Sequence, residues 1–80
     1  MAKLRVKFTF PSKLVTQPVI WEMANRYSLV TNIRGAEVSE EFGWVMLELI
    51  GDDTVINEGL AWVRSTGVSV DLVQGDVLEG

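Results

Sequence analysis

The chain has 80 residues, 48% hydrophobic and 22% charged, which fits one small globular domain rather than a disordered chain. It has no Cys and no His, which excludes disulfides, thiolate metal sites and the commonest general base, and with them most hydrolases and metalloenzymes. The net charge of −4 argues against a nucleic-acid partner. Without a signal peptide or an apolar run of roughly 18 residues, we expect a cytoplasmic chain that does not insert into a membrane.

The first two predicted elements are a strand and a helix. Residues 3–10 (KLRVKFTF) alternate between polar and apolar side chains, which is typical of a strand with one buried face. Residues 18–28 then repeat apolar side chains at helical spacing. Pro18 suits the first turn of that helix, where its missing N–H costs nothing.

The middle of the chain predicts a hairpin. Residues 29–39 are rich in β-branched side chains, and a glycine interrupts their alternation, which predicts a bulge at residues 35–36. Residues 40–43 are predicted to form the turn, with Gly43 available for a left-handed conformation. Residues 44–50 form the third predicted strand and carry apolar side chains on both faces.

The last part of the chain predicts a helix and a strand. Residues 54–66 show helical spacing, and an Asp of the preceding turn or the Thr54 hydroxyl can cap the first N–H groups. Gly67 is a natural C-cap. Residues 68–73 alternate again and predict the fourth strand.

This order predicts an α+β domain with a ferredoxin-like βαββαβ architecture. Right-handed crossovers give a four-stranded antiparallel sheet of order 4-1-3-2, with both helices on one face and strands two and four at the edges. The domain is expected to span residues 1–75, and residues 76–80 are expected to form a flexible tail.

The sheet face away from the helices is one candidate functional surface. Arg5 and Lys7 from strand one would lie there beside Trp44 and Met46 from strand three. Two interpretations stay open: a mixed surface of cross-strand ion pairs, or a docking face for a protein partner. The ion pairs would join Arg5 and Lys7 to Glu48 and Asp71 on the neighbouring strands. RNA binding is not expected, because strand one turns its aromatic side chains inward.

The second candidate is the segment that opens strand two, residues 32–36 (NIRGA). On the residues alone, Asn32 is best explained as a turn residue that closes the loop between helix and strand.

Several spaced motifs resemble the NIL domain along nearly the whole chain: RVKFTFP, PVI, the Asn32-Ile33 pair, GWVMLELIG and AWVRSTGVSV. The NIL domain is similar in fold to ACT and ferredoxin-like modules. It is best known at the C-terminus of ATPase subunits of bacterial methionine importers, where it pairs as a dimer and methionine bound at the interface inhibits transport. Other members are fused to iron–sulfur ferredoxin segments or stand alone.

The resemblance implies a non-catalytic, cytoplasmic bacterial regulatory domain that needs no cofactor and senses a small molecule. Asn32, Ile33, Arg34, Gly35 and Ala36 would then line a site for an amino acid such as methionine, at or near a homodimer interface. An edge strand offers free N–H and C=O groups to a partner, and an Asn amide offers both a donor and an acceptor to a zwitterion. Arg34 departs from the Leu of the motif that names the family. The chain lacks a G-x-x-x-x-G-K-[ST] motif, so a stand-alone domain is expected.

The alternative is a docking module without a ligand, which uses Trp44 and Met46 or the free strand edge. Its partner would be an iron–sulfur or transport protein, such as a ferredoxin or a transporter ATPase. An enzyme is not expected, because no nucleophile–base pair, phosphate loop or metal cluster can be assembled from these residues.

Overall fold

A computed structural model describes residues 1–73 and confirms the predicted order of elements. We number the strands β1 to β4 and the α-helices α1 and α2. Their bounds in chain order are β1 Ala2–Pro11, α1 Val19–Tyr27, β2 Val30–Val38, β3 Phe42–Gly51, α2 Asp53–Ser65 and β4 Ser69–Leu72. One 3-10 turn, Ser12–Leu14, follows β1. The predicted tail at residues 76–80 and the domain boundary at residue 75 lie outside the described residues.

The sheet has the order β2-β3-β1-β4, and every neighbouring pair of strands is antiparallel. β1 is central: it pairs with β3 along its whole length and with β4 over the four residues of that strand. β2 and β4 are therefore the edges. The predicted ferredoxin-like topology is confirmed.

The core lies between the sheet and the two helices. β1 and β3 each send alternate side chains into it, as the period of two requires. Burying each large apolar side chain contributes roughly 1.5–3 kcal/mol to stability. The core residues are Val6, Phe8 and Phe10 of β1, Val45, Leu47 and Leu49 of β3, Val19 and Met23 of α1, Ile56, Leu60 and Val63 of α2, and Leu29 and Val68.

Leu29 packs where two glycines leave room for it. Its Cδ1 lies 3.1 Å from the position that a Cβ would take on Gly59 of α2, and its Cδ2 lies 2.7 Å from the same position on Gly51. Met23 and Tyr27 of α1 lie 3.5 and 3.6 Å from the same Cβ position on Gly59. The glycine in α2 thus lets α1 and the following loop pack closely against that helix.

The hairpin turn differs from the prediction. Gly43 does not take a left-handed conformation in the turn; it is buried inside β3, opposite Val38. β3 begins at Phe42, and the Ser39 hydroxyl shapes the shorter turn by accepting hydrogen bonds from the N–H groups of Glu41 and Phe42, at 3.3 and 3.2 Å. The Ser39 side chain therefore stabilises the turn, and no glycine in a left-handed conformation is needed there.

The ends of α2 follow the prediction at one end only. Gly67, with φ of 107°, ends the helix in the left-handed region, as predicted. At the start, Asp52 is the N-cap residue, but its carboxylate makes no capping hydrogen bond. The N–H of Ile56 bonds the Asp52 carbonyl instead, at 2.9 Å. The acids at residues 52 and 53 can still interact favourably with the positive end of the helix.

Candidate functional site

The five residues of the predicted ligand segment lie on both faces of β2. We call the sheet face away from the helices the open face. Asn32 and Gly35 pair with residues of β3 on that face, and Ile33 and Ala36 pair with residues that point into the core. Opposed residues in an antiparallel pair share a face. Arg34 is the extra residue of a bulge, one position before the predicted one. One chain therefore does not gather these five side chains into a single pocket.

β2 is an exposed edge strand. Its apolar side chains are largely open to solvent: Val30 and Ile33 are each 58% exposed and Val38 is 62% exposed. Within residues 1–73, no strand pairs with its outer side. The outward N–H and C=O groups are therefore available to another chain, and the bulge at Arg34 limits the registers in which such a chain could pair.

An ion-pair cluster centred on Glu48 of β3 lies on the open face, opposite Asn32. Arg5 Nη2 donates a hydrogen bond to Glu48 Oε2 at 3.1 Å, which confirms the predicted pairing of β1 and β3 charges, and Arg34 Nη1 lies 3.7 Å from the same oxygen. The Arg5 hydrogen bond, helped by the charges of Arg34 and Lys3, lowers the pKa of the Glu48 carboxyl, although its burial acts to raise it. The Arg34 side chain thus lies toward the open face.

Trp44 and Met46 of β3 are half-buried on the same open face. Lys7 Nζ lies 5.2 Å from the centre of the Trp44 ring, a cation–π contact. The predicted pairing of Lys7 with an acid is not seen: Asp71 lies opposite it in register, but the two make no ion pair. The Trp44 ring also lies over Gly35, where an added Cβ would be 3.8 Å from the ring. The predicted docking face and the predicted ligand strand therefore touch.

A cavity of about 200 Å³ opens on the helix side, between the start of α1 and the end of the β2–β3 hairpin. It is smaller than the roughly 300–1,000 Å³ pockets that hold drug-sized ligands. Its walls are mainly apolar and include Phe10, Gln17, Ile20, Trp21, Val38 and Val45. None of residues 32–36 lines it, but Val38 places it beside the free edge of β2.

Sequence reasoning did not predict this cavity. Its walls come from β1, the loop and first turn of α1, and the hairpin, segments that only the tertiary structure brings together. One signal was present: Trp21 lies beside the apolar stripe of α1, and it is 66% exposed at the cavity. A large aromatic side chain beside the apolar stripe of a helix can border the core, or it can line a binding site on the surface.

Residues 1–73 contain no group of three or more His, Cys, Asp or Glu side chains that could hold a metal ion. In the same part of the chain, neither helix has the length and hydropathy needed to cross a bilayer.

The NIL domain family matches residues 4–72, from β1 to the end of β4. This chain belongs to the NIL domain family. The predicted resemblance is confirmed, and the match contains both the edge strand and the segments around the cavity.

This NIL domain is 32% identical over 69 residues to the methionine import ATP-binding protein MetN 2 of Acinetobacter baylyi (strain ATCC 33305 / BD413 / ADP1). That alignment covers 81% of this chain and 20% of the relative, so the chain spans about a fifth of the length of the curated relative that it matches. Among solved structures, the C-terminal domain of an ABC transporter ATP-binding protein from Enterococcus faecalis superposes with a TM-score of 0.78. The identity is 16%, with 91% of this chain and 86% of that chain covered, so this likeness shows the fold alone.

Proposed function

We propose that this NIL domain is a non-catalytic regulatory domain that acts in the cytoplasm. It senses a small apolar amino acid, methionine first, at the interface of a homodimer formed through β2. The observation that supports the proposal most is the position of the cavity, which at Val38 borders an exposed edge strand whose outer side pairs with no strand of residues 1–73. The match to a methionine import ATP-binding protein supports methionine as the first ligand to try.

The physical reason for a dimer lies in the exposed apolar side chains of β2. Ile33 and Val38 are each more than half exposed, and both lie on the helix side of the sheet, since they pair with core-facing Leu47 and with Gly43. Antiparallel pairing of β2 with a second copy about a two-fold axis brings these side chains together across the new interface. It also satisfies the outward N–H and C=O groups of both strands.

The same pairing explains how part of residues 32–36 acts in a site whose cavity these residues do not line. In an antiparallel pair of β2 strands, the Val38 end of one copy lies beside the Asn32 end of the other. Ile33 and Ala36 of the second copy, which lie on the helix side of the sheet, then extend the apolar walls that hold the ligand's side chain. The Gln17 amide in the cavity wall offers both a donor and an acceptor to the ligand's charged groups. Asn32 lies on the open face, on the other side of the sheet.

Arg34 is compatible with an apolar ligand. Its guanidinium lies 3.7 Å from Glu48 on the open face, whereas the cavity opens on the helix side. The sheet therefore separates this charge from the apolar walls. Arg34 in place of the motif's Leu alters the open face rather than the cavity.

The dimer is tested by sedimentation velocity over a range of protein concentrations. We expect a monomer–dimer equilibrium, and we expect Ile33→Lys to shift it to monomer, because the substitution places two like charges at the shared edge. Leu72→Lys is the matched control, since Leu72 is similarly exposed, at 59%, but lies on the opposite edge strand. A wild-type chain that stays monomeric at all concentrations would refute the dimer.

The ligand is tested by isothermal titration with methionine, leucine, norleucine and glutamate. We expect heat from the apolar amino acids and none from glutamate, and we expect Gln17→Ala, in the cavity wall, to weaken binding while the dimer persists. Asn57→Ala, at an exposed position of α2, should bind as the wild type does. If no amino acid gives a heat of binding, the sensing function is refuted and the proposal of a dimer is not affected.

A further inference from the structure

We propose that two ion pairs, each between Arg34 of one copy and Glu37 of the other, set the register in which two β2 strands pair. Ala36 then lies on the two-fold axis, and Ile33 of one copy lies opposite Val38 of the other. This register rests on the dimer of the proposed function and specifies that dimer residue by residue. It does not depend on which ligand the cavity binds.

The two faces of β2 restrict how a second copy can pair with it. Apart from the bulge residue, Gly35 and Glu37 lie on the open face, and Ile33, Ala36 and Val38 lie on the helix side. Opposed residues of an antiparallel pair share a face. A two-fold axis that passes between neighbouring residues would oppose side chains of different faces. The axis therefore passes through one residue, which then opposes its own copy.

The charges of β2 select one of these axes. With the axis at Ala36, the bulge of each copy opposes Glu37 of the other, so a guanidinium meets a carboxylate twice on the open face. An axis at Gly35 would bring the two Arg34 side chains together. An axis at Ile33 would leave Arg34 and Glu37 without opposite charges, and axes nearer either end of the strand would pair fewer residues. Only the Ala36 axis places both charged residues of β2 in complementary pairs.

Both side chains are available for these pairs. Glu37 is exposed, and within residues 1–73 it makes no ion pair. The Arg34 side chain is 47% exposed, although its Nη1 lies 3.7 Å from Glu48. A guanidinium carries several N–H donors in a fork, so Arg34 can keep its contact with Glu48 and bind a second carboxylate. The Glu37 carboxylate of another copy would meet it on the open face.

The same register brings the second copy to the cavity. Val38 lines the cavity and is 62% exposed, and Ile33, which would oppose it from the second copy, is 58% exposed. Both side chains lie on the helix side of the sheet, so their contact removes apolar surface of both from water. Ile33 of the second copy then closes the cavity on the side of β2. The ion pairs on one face thus position an apolar wall on the other.

Single cysteines locate the two-fold axis, because the chain has no Cys of its own. A residue on the axis opposes its own copy at a Cα separation of about 4.5–5.5 Å, which a disulfide can span. Under mild oxidation we expect Ala36→Cys to form a disulfide-linked dimer faster than Gly35→Cys or Ile33→Cys. Faster linking at either of the other two positions would overturn the register.

A charge exchange tests the ion pairs. Glu37→Arg and Arg34→Glu each place like charges opposite each other, and we expect each to weaken the dimer about tenfold in sedimentation velocity. When the two variants are mixed, both ion pairs can form again between them, with their charges exchanged. Native mass spectrometry of the mixture should therefore show mainly the heterodimer. Glu58→Arg, the same charge change at an exposed position of α2, should dimerise as the wild type does.

The outcomes separate the register from the dimer itself. If both charge variants dimerise as the wild type does, or if their mixture shows no excess of heterodimer, the register is wrong and the dimer stands. A wild-type chain that is monomeric at every concentration refutes both. If Arg34→Glu does not fold, because it adds a carboxylate beside Glu48, then Glu37→Arg and the three cysteine variants decide the question.

Discussion

Replacing Gly59 with Ala should destabilise the domain, although Ala is the better helix former. In the interior of an exposed helix, Gly→Ala gains about 1 kcal/mol. At Gly59 the new methyl would lie 3.1 Å from Leu29 Cδ1 and 3.5 Å from Met23 Cγ. Leu29 and Met23 are 5% and 0% exposed, so neither can move out into solvent.

The expected size of the loss follows from how Leu29 is held. Leu29 Cδ2 already occupies the space beside Gly51 that a Cβ would take, so the side chain has little room to shift toward β3. Overpacking a full core costs about 1–3 kcal/mol. Set against the helix gain of about 1 kcal/mol, a cost near the middle of that range leaves a net loss of about 1 kcal/mol. For a domain of this size such a loss lowers the Tm by about 4–8 °C.

Urea unfolding, followed by far-UV circular dichroism, measures this loss as a lower midpoint with an unchanged slope. Asn57→Ala, at an exposed position of the same helix, is the control and should stabilise by about 0.5 kcal/mol. In a Leu29→Ala background, Gly59→Ala should change sign and stabilise by about 1 kcal/mol. A Gly59→Ala variant as stable as the wild type would refute the close packing of Leu29 against α2.

Three further outcomes are expected. The lowered pKa of Glu48 stabilises the fold above the ordinary carboxyl pKa of 4.5, and this stabilisation is lost as the pH falls through the lower pKa of the folded state. Glu48→Gln should therefore make the unfolding free energy depend less steeply on pH in the acid range. An unchanged pH dependence would contradict the ion-pair cluster. Gly67→Ala, at φ of 107°, should cost about 1 kcal/mol in thermal unfolding, with Gly67→Asn closer to the wild type; equal losses would argue against a left-handed cap. Leu47→Ala, at a position with no exposed surface, should cost about 2–5 kcal/mol, while Leu72→Ala should cost less than about 0.5 kcal/mol; similar losses would contradict the placement of the core.

The fold could be predicted because polar and apolar side chains follow the strand and helix periods almost without exception. The alternation over residues 3–10 fixes which face of β1 is buried, and two helical segments between strands fix the crossovers. Strand order then predicts that β1 lies beside β3, which is why the Arg5–Glu48 pair could be expected. Patterns of this kind follow from backbone geometry and need no tertiary detail.

The site could be predicted only in part. The motif at residues 32–36 located the exposed edge strand, but the bulge at Arg34 decides which face each side chain takes. The sequence restricts a bulge to the stretch between two out-of-phase apolar residues, here Ile33 and Val38, and does not place it within that stretch. The cavity depends on side chains from separate segments, and the hairpin turn depends on the Ser39 hydroxyl. Neither leaves a periodic signal.

The two borders of the sheet differ in length: β2 has nine residues, and β4, in the described part of the chain, has four. Joining two copies through their long borders buries both of them and leaves a short strand at each outer end. A two-fold contact uses the same patch on both molecules, so a third copy finds no equivalent strand to join. Growth by strand addition would thus stop at a pair, and the asymmetry of the borders would itself prevent the fibre formation to which unpaired strands are prone.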